Sequence, residues 1–166
     1  MIALRAWSQS DLPILQQTVG EPAMMRHLGG VESAAAIERR HRRYLETEFP
    51  EKGAMYVILL CEQRVAAGTI GYWQRPWNGE EVYETGWMVL PKFAGRGIAT
   101  RAAQIVIAKA RRLRAHRFMH AFPSVENVSS NKVCERAGFT NLGECAFEYP
   151  KGSMMRCNDW QIELYR

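Results

Sequence analysis

Six residues at 92–97, Lys-Phe-Ala-Gly-Arg-Gly, sit between an apolar run that ends at Pro91 and an amphipathic run that opens at Ile98. Glycines at 95 and 97 can take the left-handed backbone that turns successive N–H groups inward. A helix opening behind them adds its unpaired first-turn donors and the positive end of its dipole. That is chemistry for an anion, most naturally a phosphate or pyrophosphate. An ordinary strand-to-helix turn accounts for the same two glycines, so context must decide. A Walker loop ends in Gly-Lys-Ser/Thr, and Gly97 is followed by Ile98-Ala99. A dinucleotide fingerprint needs Gly or Ala where Thr100 stands. It also needs an acid about 20 residues on, where the chain offers only RAHRFMHAF.

The remaining reactive side chains form no constellation of their own. The four histidines show neither metal spacing nor a nucleophile partner. Four cysteines, at 61, 134, 145 and 157, are widely spaced and lack a CxxC pair, which predicts reduced thiols and a cytoplasmic protein. The net charge of +5 favours anionic ligands without choosing among them. The cluster Lys109, Arg111, Arg112, Arg114 and Arg117 falls at a helix C-terminus, where cations complement the dipole, and no aromatics are interleaved. Nucleic acid is therefore not an expected partner. The opening MIALRAWSQSDLP lacks the apolar core of a signal peptide, and no apolar run reaches membrane-spanning length.

The elements that must carry the loop follow from the patterning. Met1–Trp7 reads as a strand, and Ser8 or Ser10 caps a helix over Asp11–Val19. Glu21–Gly30 reads as a loop and Ser33–Phe49 as a surface helix ending before Pro50. Ala54–Cys61 and Arg64–Trp73 form a hairpin, residues 75–79 a loop, and Val82–Leu90 the next strand. Ile98–Arg114 is a long amphipathic helix, Phe118–Phe122 a strand, and Asn127–Ala137 a helix stopped by Gly138. Strands near Thr140–Tyr149 and Asp159–Tyr165 close the chain. With 166 residues, no repeats and no linkers, the prediction is one mixed α/β domain over residues 1–166.

Four features in order resemble the GNAT N-acetyltransferase superfamily. Glu84-Thr85-Gly86-Trp87 matches its Glu-x-Gly-aromatic strand. Lys92-Phe93-Ala94-Gly95-Arg96-Gly97 matches its Gln/Arg-x-x-Gly-x-Gly/Ala loop, with Lys at the first place. A long helix follows. Glu126-Asn127-Val128-Ser129-Ser130-Asn131, running on to Gly138-Phe139, is similar to its Glu-Asn-x-x-Ser…Gly-Phe helix. Glu21-Pro22…Met25-Arg26-His27-Leu28-Gly29-Gly30 adds a likeness to the branch containing the ribosomal-protein N-terminal acetyltransferases. The resemblance implies a central, mostly antiparallel sheet (an α+β mixed sheet) splayed at the coenzyme site and flanked by about four helices. It implies acetyl-CoA as co-substrate, no metal, an amine acceptor and direct attack in a ternary complex.

The resemblance also assigns residues. Amides of Lys92, Phe93, Ala94, Gly95, Arg96 and Gly97, with Ile98 and Ala99, would hold the coenzyme pyrophosphate. Main-chain groups of Met88, Val89 and Leu90 would pair with the pantetheine arm, which Asn127 would also reach. Lys132 or Arg136 would approach the 3′-phosphate. Glu84 is the candidate base, its alternative being a strand-face carboxylate paired with an Arg. Cys134 stands where many relatives carry the Tyr read as general acid, while a lone helical Cys is also an ordinary core residue; Tyr149 or water are the other donors. Trp77, Glu81 and Trp87 are candidates for the acceptor wall. A peptide N-terminus and a small-molecule amine both stay open as acceptor, as does a homodimer. The competing readings are a non-catalytic acyl-CoA sensor and a basic module bound to RNA or ribosomes.

Overall fold

The computed structural model describes residues 1–46 and 49–166. Seven strands form one sheet: β1 (Ile2–Ala6), β2 (Gly53–Leu60), β3 (Val65–Trp77), β4 (Glu80–Val89), β5 (Phe118–Ala121), β6 (Thr140–Glu148) and β7 (Met154–Glu163). Their order across the sheet is β1-β2-β3-β4-β5-β7-β6, with every pair antiparallel except β4·β5. The helices are α1 (Leu12–Thr18), α2 (Pro22–Met25), α3 (Ala34–Leu45), α4 (Ile98–Leu113) and α5 (Val128–Ala137). The mixed sheet and the order of elements agree with expectation.

Local chemistry explains most boundaries. Ser33 caps α3 through its hydroxyl, and Asn127 caps α5 by accepting from the Ser130 amide. Gly138, in the left-handed region, ends α5. Along α4 the residues Ile98, Ala102, Ala103, Val106, Ile107 and Ala110 are buried at helical spacing. That stripe packs across β1, β3 and β4, and α5 packs on α4. Each fully buried Ile or Val there contributes roughly 1.5–3 kcal/mol.

Four differences from the sequence reading matter. Pro22–Met25 is a short helix inside the expected loop. The α3 helix ends at Leu45; of the residues expected to continue it, 47 and 48 lie outside the described residues. The expected loop at 75–79 is a tight hairpin, because β3 runs on to Trp77 and β4 begins at Glu80. Asn78 and Gly79, both at positive φ, make the two-residue turn that the strand twist favours. Finally, β7 starts at Met154, earlier than expected, because Cys157 and Asp159 alternate into the interior between exposed or half-buried polar residues.

Candidate active site

The strand β4 is shared by two neighbours that part company. It pairs with β3 along its whole length, down to Gly68↔Val89. With β5 it pairs only at Tyr83↔Met119 and Glu84↔His120. Beyond that point the β5 side follows β7: Asn158 donates to the Pro123 carbonyl, Val125 donates to that of Arg156, and Ser124 bridges to Cys157. A cavity of about 660 Å³ opens in the wedge, lined by Gly86, Trp87, Met88 and Val89 on one edge and by Phe122–Ser124 on the other. The inner edge of β4 therefore presents main-chain groups that no strand pairs.

The glycine loop closes the wide end of this wedge. After β4, Pro91–Phe93 make one 3₁₀ turn, tied by the Phe93 amide to the Leu90 carbonyl and the Ala94 amide to that of Pro91. Gly95 and Gly97 have φ of +75° and +70°, and a Cβ on either would meet nothing within 4 Å. The demand for glycine is thus conformational, not spatial. No side chain caps α4, whose first residues Ile98, Ala99 and Thr100 line the cavity together with Ala94, Gly95 and Gly97. Uncapped first-turn amides of a sixteen-residue helix, aimed at a cavity, suit a phosphate.

Asn127, Lys132 and Arg136 line the same cavity. The Oδ1 of Asn127 is committed to the cap, accepting also from the Ser129 hydroxyl, so its amide nitrogen is the group left for a ligand. Neighbouring Asn131 is fully used inside the fold: it donates to the carbonyls of Ser124 and Asn127 and accepts from Asn158 and Trp160. Leu90 does not line the cavity. Its amide donates to Ala67, its carbonyl accepts from Phe93, and its side chain is in the core. The side chains of Lys92 and Arg96 stand over the Phe93 ring at 5.0 and 5.7 Å, outside the cavity lining.

Glu84 is the last residue of β4 paired with β5, and its side chain lies in the apex of the wedge. Its Oε2 accepts from Arg75 Nη1 at 2.6 Å and from Trp73 Nε1 at 3.0 Å. Among the described residues no hydrogen bond engages Oε1. Burial pushes this carboxyl up, Arg75 and the Trp73 indole pull it part of the way back, and the balance lies above the ordinary carboxylate value. Arg75 is itself held over Phe147, 4.4 Å from the ring centroid, with Phe122 and Trp77 beside it. Behind this group, Trp77 Nε1 donates to Asp159, whose other oxygen meets buried His120 at 2.6 Å.

A second cavity, of about 680 Å³, lies on the side of α3 and β6. It shares Arg40, Tyr44, Trp73, Glu84, Phe147 and Tyr149 with the first, so the two meet at Glu84. Tyr149 accepts a hydrogen bond from Arg40, which also donates to Tyr44 and is paired with Glu32. Burial works against the Arg40 charge, but the Glu32 bond and the two phenols raise its pKa above the ordinary arginine value.

Of the catalytic and acceptor candidates, the structure brings Glu84, Tyr149 and Trp87 to these cavities and leaves three outside. Cys134 is fully buried in the core, where burial pushes its thiol up to about 12. Trp77 ends β3 with its indole packed on Phe122, and Glu81 is exposed, accepting from Gln74. Arg75 and Arg40 escaped the sequence reading, and Trp73, whose place on the hairpin strand reads as core, lines both cavities instead. The Asn-Gly turn was the available signal for Arg75 and Trp73, because that register places Trp73 opposite Glu84 and Arg75 diagonal to it.

Comparison with known proteins matches residues 2–140 to the acetyltransferase (GNAT) domain. The chain is 21% identical over 165 residues to an uncharacterized N-acetyltransferase, YnaD, of Bacillus subtilis (strain 168), covering 99% of this chain and 91% of that one. Its fold superposes with a TM-score of 0.79 on spermidine N-acetyltransferase from Vibrio cholerae in complex with CoA and spermine, at 16% identity over 98% and 95% of the two chains. It superposes at 0.80 on the Salmonella typhimurium acetyl transferase that modifies the N-terminal serine of ribosomal protein L7/L12, at 24% identity over 98% and 94%.

Proposed function

The chain belongs to the GNAT acetyltransferase family, and from that premise we propose that it moves an acetyl group from acetyl-CoA to a primary amine, with Glu84 as the base. The observation that carries this assignment is the state of one carboxylate. Two donors fix Oε2, among the described residues no hydrogen bond engages Oε1, and Glu84 lines both cavities. A base must be held in place and yet have a lone pair for the reacting proton. Glu84 has both.

The donor cavity suits coenzyme A on three counts. It is long enough to run from the α4 N-terminus to Glu84, its loop and helix amides suit the pyrophosphate, and the unpaired edge of Gly86–Val89 suits the pantetheine amides. The bound coenzyme supplies the thioester carbonyl. Amides of Gly95, Gly97, Ile98 and Ala99 hold the phosphates, Asn127 contributes its side-chain amide, and Lys132 or Arg136 faces the 3′-phosphate.

An ammonium reaching Glu84 gives a proton to Oε1 and becomes a nucleophile. As the new C–N bond forms and the C–S bond breaks, the nitrogen sheds a second proton and the departing thiolate needs one, so the group that protonates sulfur is recharged by the proton from nitrogen. Tyr149 lines both cavities, and Arg40 orients its hydroxyl, so Tyr149 is the proposed donor. Cys134 is set aside for this role because its thiol is enclosed in the core. The test is a mass-shift screen with acetyl-CoA over peptides and small amines. An acetylated product with release of free coenzyme supports the reading; tight acetyl-CoA binding with no product from any amine supports a sensor instead.

A further inference from the structure

Arg75 has two carboxylates within reach on β4. It lies opposite Val82, so its diagonal neighbours on the same face are Glu84 and Glu80. Glu80 is exposed beside the turn, where water screens any pair. Arg75 is paired with Glu84 instead, at 2.6 Å. Three rings hold its guanidinium on that side: Phe147 at 4.4 Å, Phe122 at 5.7 Å and Trp77 at 5.9 Å.

Two walls of this box, Phe122 and Phe147, are core residues. The third, Trp77, is only partly buried and ends β3 just before the Asn78-Gly79 turn. What fixes it is a buried acid. Its Nε1 donates to Asp159 Oδ2 at 2.9 Å, and Asp159 Oδ1 meets His120 Nδ1 at 2.6 Å. The Gln161 side-chain nitrogen, 3.2 Å from His120 Nε2, completes the row. Asp159 and His120 are 6% and 2% exposed. Apolar side chains of similar volume would fill this space without the cost of burying a carboxylate. The polar pair adds direction: it aims one oxygen at an indole 82 positions away in the chain.

Other titratable groups surround Glu84. Arg40 and Tyr44 of α3, Tyr149, Cys157 of β7 and His120 of β5 face it. Arg43, Glu46, Lys52 and Glu148 stand exposed at the rim of the second cavity. Its carboxyl is nevertheless set by burial, by Arg75 and by Trp73. Asp159 therefore reaches it through the placement of Arg75.

We infer that Asp159, with His120 behind it, is a positioning residue: by tethering Trp77 it closes the box that holds Arg75 on Glu84 and away from Glu80. The inference rests on the transferase reading and adds to it the group that keeps the base and its cation together.

The test follows the Glu84 side-chain carboxyl by carbon NMR across pH in the full chain, beside kcat/KM for an amine that the mass-shift screen returns. Trp77→Phe keeps a ring against Phe122 and removes the tether. The Glu84 titration should then move to higher pH by about 0.5 or more, part of the roughly 1–3 that a close cation supplies. Asp159→Asn can still accept from the indole and should stay near wild type. In an Arg75→Met background Trp77→Phe should add nothing, because the cation it holds is gone. Should Trp77→Phe not fold, Asp159→Ser is too short to reach the indole and carries the same expectation. A folded Trp77→Phe with the wild-type titration overturns the proposal, as does an equal shift in the Arg75→Met background. A moved titration beside an unmoved acid limb of kcat/KM leaves the positioning role standing and removes Glu84 as the base.

Discussion

Replacing Glu84 by Gln removes one charge and one proton acceptor while keeping shape. In the folded protein Oε2 accepts from Arg75 at 2.6 Å and from Trp73 at 3.0 Å, and an amide oxygen can take both bonds. Bonds involving charged groups contribute about 1.5–3 kcal/mol and neutral ones about 0.5–1.5. The exchange therefore weakens the Arg75 contact by roughly 1 kcal/mol. Against this, the amide no longer has to keep a charge in a site where burial pushes the carboxyl up. The net change in stability should stay within about 1 kcal/mol, a shift of roughly 2–4 °C or less in Tm. The activity should fall much further. A positioned base contributes about 10²–10⁴-fold, or roughly 2.7–5.4 kcal/mol of barrier. The KM for acetyl-CoA should hardly move, since the loop amides at 95–99 proposed to hold the phosphates lie at the other end of the cavity.

Steady-state kinetics across pH, paired with thermal unfolding, separate these terms. In the wild type, kcat/KM should rise with pH as Glu84 loses its proton, at a pH above the ordinary carboxylate value. Glu84→Gln should lack that limb. Stability runs the other way. Folded Glu84 keeps its proton to higher pH than it does in the unfolded chain, so the native state binds more protons between the two values. Wild-type stability then declines as pH rises through that window, and the variant should not follow. A loss of turnover below about threefold, far less than a base contributes, would refute the assignment. So would a variant that keeps the wild-type acid limb.

Four further outcomes follow from the same structure. Arg75→Met removes the cation that pulls Glu84 back toward its ordinary value, so the acid limb of kcat/KM should move to higher pH while acetyl-CoA binding, followed calorimetrically, is retained. Cys134→Ala should keep turnover within about twofold and lower Tm by the equivalent of roughly 1 kcal/mol, a packing loss in the core; loss of turnover in a folded variant would return the thiol to the reaction. Gly95→Ala forces a side chain to φ +75° with free space around it, costing about 1–2 kcal/mol of backbone strain, and should raise the KM for acetyl-CoA more than it lowers kcat. For Asp11, burial pushes the carboxyl up, but bonds from Arg5 and Ser8 outweigh it and hold it below the ordinary value. Its stabilisation is therefore present above the unfolded Asp pKa and lost as pH falls through the folded one. Asp11→Asn should cost about 1–3 kcal/mol in unfolding titrations at neutral pH, with the gap closing in acid.

The donor half of the site was legible because it is local. Residues 82–100 carry a strand, a turn and a helix start in one stretch, residues 126–139 carry a cap, a helix and its terminating glycine in another, and those signals depend on neighbours in sequence. The second cavity is assembled from elements far apart in sequence, α3, β3 and β6 among them, whose relation is set by packing. Arg40 meets Tyr149 across 109 positions, and Trp77 meets Asp159 across 82. Such contacts leave no periodic trace. Arg75 was hidden for a different reason, since Pro76 and Asn78-Gly79 beside it carry the composition of a loop. A two-residue turn uses that same composition, and only the register distinguishes a flexible loop from a strand that holds an arginine against Glu84.

That register also explains why one residue can serve both halves. On β4 side chains alternate, so Glu84, Gly86 and Met88 share a face, while the parallel partner leaves the strand just after Glu84. The same departure that frees the main chain of Gly86–Val89 for a donor places the Glu84 side chain where the two cavities meet. Gly86 then leaves room for the edge of the Trp73 indole, which donates one hydrogen bond to Glu84. A longer β4·β5 ladder would pair the donor edge and close the wedge. A shorter one would release Glu84 from the sheet that fixes its backbone. Two paired residues, Tyr83 and Glu84, therefore hold the strand at Glu84 and leave the edge beyond it open.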